Sequence, residues 1–108
     1  MSQRRIFRGF ATTIPVSVLE KIDDVTKSYS IVGNTEIKAC LQTLVLTKTA
    51  AQVVVNSAER GEFDILISAV QALGLTTGTG VIKGQIEFGT TQNPIVFQIP
   101  VRIEDPPC

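Results

Sequence analysis

The strongest pattern in this chain of 108 residues lies in residues 82–103, which read IKGQIEFGTTQNPIVFQIPVRI. Apolar and polar positions alternate on both sides of a central segment that is rich in Gly, Thr and Asn. Such alternation is typical of half-buried β-strands, and the central segment has the composition of a turn. We therefore predict an antiparallel hairpin. One face of its strands would carry Ile82, Gly84, Ile86 and Phe88, then Ile95, Phe97, Ile99, Val101 and Ile103.

Three prolines indicate how the last strand ends. Pro100 lacks an N–H group, so its side of the strand is expected at a sheet edge or beside a bulge. Pro106 and Pro107 cannot donate hydrogen bonds to a sheet, so regular structure should stop near Ile103. No linker or repeat divides the chain. We predict a single domain over residues 1–105, with residues 106–108 as a tail.

Two further regions favour strands by their composition. Residues 4–12 combine arginines with β-branched and aromatic residues that suit a pleated surface, and Gly9 is a candidate bulge. The apolar residues of this region are Ile6, Phe7 and Phe10. Residues 43–55 are rich in Thr and Val, whose restricted χ1 angles favour strands. We predict two strands in this second region, broken near Ala50 and Ala51.

Two other segments fit a helix and a strand almost equally well. Residues 16–29 have apolar residues at helical spacing, and Ser17 and Glu20 have the spacing of a capping box. Residues 63–73 also fit a helix, which Gly74 would end, yet the same residues alternate as a strand would. Spacing alone favours a helix slightly in both. Two architectures therefore stay open: an all-β fold, and an α+β domain with helices near 16–29 and 63–73 and a C-terminal hairpin.

The charge balance excludes some classes of partner. Lys plus Arg and Asp plus Glu each number 10, so the chain lacks the basic excess that drives binding to nucleic acid or anionic membranes. No apolar stretch approaches the roughly 18 residues that a membrane-spanning helix needs. The arginine-rich start has no apolar segment behind it, so no signal peptide is indicated and the compartment stays open. We expect no nucleic-acid binding and no membrane insertion.

No pattern of residues indicates catalysis, a cofactor or a metal. Histidine is absent, which removes the commonest general base and the commonest neutral metal ligand. The glycines of residues 78–84 do not fit a phosphate loop or a dinucleotide fingerprint, and we predict a loop between strands there. The carboxylate pairs Asp23–Asp24 and Glu62–Asp64 lack a calcium-loop pattern, which favours turn and solvation roles. We predict that the protein is not an enzyme and holds no cofactor or metal.

The two cysteines do not indicate a structural disulfide. Cys108 is the last residue and follows two prolines, which makes it a poor anchor for a bridge to Cys40. Cys40 lies within an apolar run. We predict that Cys40 is a small buried side chain.

The N-terminal arginines form the one charge cluster of interest. Arg4, Arg5 and Arg8 could bind a carboxylate-rich or phosphate-rich partner, because guanidinium groups pair well with such groups. On a first strand they would also protect a sheet edge from unwanted pairing, and this second role is favoured. We keep all three as candidate partner-binding residues.

The order of features from residue 53 onwards has a family likeness. A strand, a charged turn and a second strand precede a Gly-bearing loop, a strand of the type G-x-I-x-F-x-T, an Asn-Pro turn and a strand with Ile-Pro-Val. The matching pieces are Val53–Val55, Glu59–Glu62, Phe63–Ala69, Gly74–Gly80, Gly84–Thr90, Asn93–Pro94 and Ile99–Val101. Earlier in the chain, Arg4–Gly9 and Pro15–Leu19 look like a first and a second strand.

On these pieces, the chain resembles the immunoglobulin-like domains of unknown function of bacterial envelope proteins, which are similar to the abnormal-spindle and Hydin domains. The resemblance implies an antiparallel β-sandwich of roughly seven strands. It also implies that residues 16–29 and 63–73 are strands.

Three functions follow as expectations. The first is a non-catalytic structural or interaction protein that acts through its sheets in a larger assembly, such as a surface layer or the decoration or tail of a phage particle. It would bind a protein partner or further copies of itself. The second is a module of a bacterial envelope protein with an extracytoplasmic partner. The third is a small ligand-binding or enzymatic α+β domain.

Overall fold

A computed structural model describes residues 4–90 and 92–107 and shows an all-β fold. This part of the chain contains ten strands and one short helix. They are β1 (Arg4–Phe7), β2 (Thr12–Ser17), β3 (Leu19–Ile22), β4 (Val25–Ser28), β5 (Glu36–Leu41), β6 (Leu44–Thr47), β7 (Val53–Ser57), β8 (Glu62–Ile67), α1 (Ala69–Leu73), β9 (Gly78–Glu87) and β10 (Ile95–Glu104). The all-β prediction is confirmed.

The strands form three sheets in the described part of the chain. The five-stranded sheet has the order β1-β10-β9-β5-β6, and the three-stranded sheet has the order β2-β8-β7. Strands β3 and β4 pair only with each other and form a separate hairpin, which we call the β3–β4 arm. All pairs are antiparallel except β1 with β10, which run parallel.

The described chain adds to the predicted seven or so antiparallel strands in two respects: it has ten strands, and its first strand pairs in parallel with its last. Residues 4–12 do not form one strand because the chain turns after Phe7, where the Phe10 N–H donates to the Phe7 carbonyl oxygen at 3.2 Å. This turn carries the chain from the edge of the five-stranded sheet to the edge of the three-stranded sheet.

The predicted C-terminal hairpin is confirmed and is longer than expected. Strands β9 and β10 pair from Ile86 and Ile95 to Gly78 and Ile103. The prediction of a loop over residues 78–84 is wrong, because β10 supplies a pairing partner for each of those residues despite their loop-like composition. Strand β1 begins to pair with β10 at Val101, so the side of β10 away from β9 is unpaired at Pro100. The predicted position of Pro100 at a sheet edge is therefore confirmed.

The first contested segment is a β-hairpin and not a helix. Asp23 and Asp24 form its two-residue turn, with φ angles of 50° and 64°. This left-handed pair is the geometry that closes a tight hairpin, and Asp tolerates it because its short side chain can bond locally. The capping box predicted at Ser17 and Glu20 is wrong, since both residues lie in strands.

The second contested segment is divided between a strand and a helix. Strand β8 ends at Ile67, and α1 follows after Ser68. A capping box begins this helix: the Gln71 N–H donates to Ser68 Oγ at 3.1 Å, and the Ser68 N–H donates to Gln71 Oε1 at 2.9 Å. Gly74 ends the helix as predicted. The α+β alternative is wrong, because only one short turn of helix forms.

The inner faces of the two larger sheets form one apolar core. The buried members are Ile6, Ile14, Ile31, Ile37, Ala39, Leu41, Leu46, Val53, Phe63, Ile65, Ile67, Ala72, Leu75, Ile82, Ile86, Phe88, Val101 and Ile103. No polar or charged residue of the described chain is buried. Phe63 of one sheet meets Phe97 of the other edge to face, with ring centroids 5.6 Å apart. The two sheets therefore pack against each other.

Gly84 allows this packing at the centre of β9. A Cβ atom there would overlap the Phe97 ring and would lie 2.6 Å from the Lys38 carbonyl oxygen. Phe97 and Ala39 are the two residues that pair with Gly84, from the strands on its two sides. A side chain at this position would therefore push Phe97 out of its place between the sheets.

We predict that Gly84→Ala lowers the free energy of unfolding by about 1–3 kcal/mol, because the added methyl group overpacks the core. The matched control is Gly74→Ala, where a Cβ atom would meet its nearest neighbour at 3.6 Å. Gly74 has a right-handed conformation that alanine adopts easily, so this change should be neutral or stabilise by up to about 1 kcal/mol. Urea unfolding measures both. Equal effects at the two positions would contradict the close packing at Gly84.

Candidate interaction site

The three candidate arginines do not converge on one site. Arg4 and Arg5 are exposed on β1 and, as neighbours in a strand, point to opposite faces. Arg8 is held within the molecule: its guanidinium group pairs with Asp105 at 2.8 Å and donates to the Leu73 carbonyl oxygen at 3.2 Å. Arg8 therefore fastens the C-terminal segment to the body of the domain. Partner binding by these three residues stays a prediction.

Arg4 lies where the edges of the two larger sheets meet. It lines a gap of about 380 Å³ together with Pro15 of β2 and Pro100 of β10. Strand β2 is an edge of the three-stranded sheet, and β10 is unpaired on its outer side before Val101. Arginine and proline are residues that discourage the addition of another strand. The arrangement favours the edge-protection role of Arg4.

The remaining chemical candidates do not assemble into a site. Asp23 and Asp24 form the arm's turn, and Glu62 and Asp64 share one face of β8. No three potential metal ligands cluster anywhere in residues 4–90 and 92–107. A cleft of about 680 Å³ beside β1 and β10 is open to solvent, and its Arg102 side chain pairs with Glu104 at 2.8 Å. These clefts contain no buried polar side chain that could act on a substrate.

Among the described residues, the backbone hydrogen bonds that place the β3–β4 arm on the domain lie at its base. The Val18 N–H donates to the Gly61 carbonyl oxygen at 2.9 Å, and the Tyr29 N–H donates to the Val18 carbonyl oxygen at 2.9 Å. Gly61 has φ +68°, and a Cβ atom there would overlap the Tyr29 carbonyl oxygen. Only glycine allows the β7–β8 turn to lie this close to the base of the arm.

Beyond its base, the arm is exposed. Leu19, Glu20 and residues 23–28 are all exposed to solvent, including Leu19 at 59% and Val25 at 52%. Within the described chain, β3 and β4 have no other strand as a pairing partner. An isolated two-stranded hairpin is at best marginally stable in water. The arm therefore presents apolar side chains that nothing in the described chain covers.

A second exposed surface lies on the five-stranded sheet, on the side away from the core. We call it the outer sheet face and define it by Lys38, Cys40, Val45, Val81, Lys83 and Val96. All six residues are exposed, and the three valines are exposed by 59%, 41% and 70% in that order. Lys38, Cys40, Lys83 and Val96 also line a depression of about 300 Å³.

The prediction that Cys40 is buried is wrong. Ile37, Ala39 and Leu41 point inwards from β5, so the alternation of a strand places Cys40 on the outer sheet face. Its pairing partners are Val45 and Lys83. Cys40 is a free cysteine, and the Cys108 end of the bridge considered above lies outside the described residues.

A third group of exposed apolar residues lies at one end of the domain. Phe10, Val70 and Leu73 are exposed by 58%, 81% and 58%. Val70 and Leu73 lie three residues apart on α1, and Leu73 reaches Gly9, the neighbour of Phe10. This group is small and carries no charge, and we call it the control surface.

Glu36 links the start of β5 to the turn after β6. Its carboxylate accepts hydrogen bonds from the Thr49 hydroxyl group, from the Ile37 N–H at 3.0 Å and from the Thr49 N–H at 3.1 Å. The Thr49 hydroxyl group is the main reason that the pKa of Glu36 lies below its ordinary value; partial desolvation opposes this shift, and the backbone donors add to it. Glu36 thereby orders one border of the outer sheet face.

We predict that Glu36→Gln destabilises the protein at pH 7 and has a smaller effect in acid. A pKa that is lower in the folded state contributes stability above the ordinary value of 4.5, and this contribution is lost as pH falls through the folded-state pKa. The measurement is urea unfolding of both proteins at pH 7 and near pH 3. Thr49→Val, which removes the main donor, should give the same pattern. If the variant lowered the free energy of unfolding by the same amount at both pH values, a lowered pKa of Glu36 in the folded protein would be contradicted.

The comparisons with known proteins provide no relative. Searches against protein-family models, curated proteins and solved structures find no match to this chain. The described residues contain no helix that is long and apolar enough to cross a membrane.

Proposed function

We propose that this protein is a non-catalytic structural component of a larger protein assembly, and that the β3–β4 arm is its docking element. The observation that carries the proposal is the arm itself: a hairpin whose base lies at Val18 and Tyr29, with Leu19 and Val25 exposed beyond that base. Packing of its apolar residues against a protein partner would stabilise the arm, since burial of apolar surface is the main stabilising term in association.

The rest of the molecule supports a role without catalysis. The described core is apolar throughout, its clefts are open, and histidine is absent from the sequence. Enzyme sites usually combine an enclosed pocket with converging polar groups whose pKa values are perturbed. Among the described titratable groups, Glu36 is the one with a shifted pKa, and its hydrogen bonds to the neighbouring turn account for that shift.

The order of the strands supports an immunoglobulin-like sandwich as part of the same proposal. Immunoglobulin variable-type domains place strands B, E and D in one sheet and C′, C, F and G in the other. In chain order, β2, β8 and β7 correspond to B, E and D, and β6, β5, β9 and β10 correspond to C′, C, F and G. The β3–β4 arm is then an insertion between B and C. Such single-sandwich components suit surface layers or the decoration and tail structures of phage particles.

Light scattering coupled to size exclusion tests the proposal on the intact chain. We expect a particle mass that rises with concentration above the 11.7 kDa of one chain. In the arm-shortened variant, residues 19–28 are replaced by Asn-Gly, a dipeptide that favours a tight hairpin turn between Val18 and Tyr29. We expect this variant to stay at the mass of one chain.

Two controls separate loss of the arm from loss of the fold. Circular dichroism and the melting temperature should show that the arm-shortened variant is folded. The double variant Val70→Ser with Leu73→Ser removes exposed apolar residues at the control surface and should associate as the natural chain does. A natural chain that is monomeric at every concentration, or an arm-shortened variant that associates normally, would overturn the proposal.

A further inference from the structure

The turn of the β3–β4 arm is acidic, and the outer sheet face carries two lysines. The tip of the arm consists of Asp23 and Asp24, both exposed. The outer sheet face carries Lys38 and Lys83 at its centre. Lys38 lies 3.7 Å from Glu87, whereas Lys83 belongs to none of the ion pairs found among the described residues. An acidic tip and a basic face on one molecule are complementary between two copies of it.

We infer that the arm of one copy docks on the outer sheet face of a second copy; this inference rests on the proposed function and names its partner and its surface. The chain as a whole has no net charge, so two copies do not repel each other at long range. The local attraction between Asp23 and Lys83 then sets the orientation of docking.

The apolar residues of the two surfaces also match. The arm offers Leu19 and Val25, and the outer sheet face surrounds its lysines with Val45, Val81 and Val96. The outer sheet face therefore offers apolar contacts to the arm around a charged centre. The short Cys40 side chain lies between longer neighbours and leaves the depression into which an apolar side chain of the arm can insert.

The dimensions of the two surfaces agree. Each strand of the arm has four residues, which corresponds to a length of about 13 Å. The outer sheet face extends from Val45 on β6 to Val96 on β10, across three gaps between neighbouring strands, or about 14 Å. A two-stranded ribbon of this length covers the face from one side to the other.

This contact has a consequence for the assembly. The arm and the outer sheet face are different surfaces, so the contact is heterologous and each copy offers one of each. Within the described chain, the arm pairs with no strand of its own five-stranded sheet, which leaves both surfaces available to other copies. The assembly is then a reciprocal dimer in which each arm docks on the other copy, a larger closed ring or an open chain.

Exchange of charges tests the contact. We expect Lys83→Glu to weaken association about tenfold or more, because it places like charges against the tip of the arm. Asp23→Lys should weaken it to a similar extent, and Asp23→Asn, which keeps a residue suited to the left-handed turn, should weaken it less. The double variant Lys83→Glu with Asp23→Lys should recover most of the affinity. Melting temperatures check that each variant is folded.

Cross-linking tests the same contact independently of these charges. In a Cys108→Ser background, Thr26→Cys adds a cysteine on the arm while Cys40 stays on the outer sheet face. A short bis-maleimide should then produce cross-linked dimers on a denaturing gel, with trimers and larger products where the assembly is a larger ring or a chain. These products should disappear in the Cys40→Ser variant, and Val70→Cys in place of Thr26→Cys should give none.

The results distinguish failure of this inference from failure of the proposed function. Association that requires the arm but is insensitive to Lys83 and Cys40 would overturn the docking surface and leave the proposed function standing. A cross-linked dimer that persists after Cys40→Ser would show contact between two arms, which also overturns the inference. A natural chain that does not associate at any concentration would overturn both the inference and the proposed function.

Discussion

The close contact between the two larger sheets at Gly84 is the constraint on which the rest of the structure depends. The absence of a side chain there lets the Phe97 ring lie over β9 and meet Phe63 from the opposite sheet. This contact fixes which residues of β9 point inwards. Because side chains alternate along a strand, it also fixes the outward residues, and Lys83 reaches solvent for the same reason that Ile82 is buried. The packing at Gly84 therefore determines both which side chains enter the core and which lie on the outer sheet face.

The β3–β4 arm is the part of the chain that this core does not explain. Leu19, Glu20 and residues 23–28 are exposed, and glycine at position 61 is required to seat the base of the arm against the body of the domain. A hairpin of four-residue strands contributes little to stability without a surface to pack on. We therefore propose that the arm, with its acidic turn, makes contact between molecules on the sheet face that carries Lys83 and exposed valines.

Much of the fold could be predicted from local patterns, and much of the candidate site could not. Alternation over residues 82–103 predicted the hairpin of β9 and β10, because one buried face produces a period of two. The arm could not be predicted because Leu19, Ile22 and Val25 also have helical spacing. The choice between a helix and a hairpin depends on which strands pair, and the sequence does not show this. Cys40 was predicted to be buried because it lies in an apolar run; the period of two through Ile37 and Leu41 would have placed it outside. The pair Asp23–Asp24 was the feature of the sequence that could have indicated a tight turn, and hence the hairpin.

Hydrogen exchange measured by mass spectrometry at low and high protein concentration tests most directly the claim that the arm and the outer sheet face meet when copies associate. Exchange reports which backbone N–H groups lose access to solvent or stop opening when the molecules bind. We expect protection from exchange to rise with concentration in residues 19–28 and in the parts of β5, β6 and β9 around Cys40, Val45 and Lys83. We expect no change in α1 around Val70. Protection that rises around Val70 or along β7 while residues 19–28 stay unchanged would contradict contact between the arm and the outer sheet face.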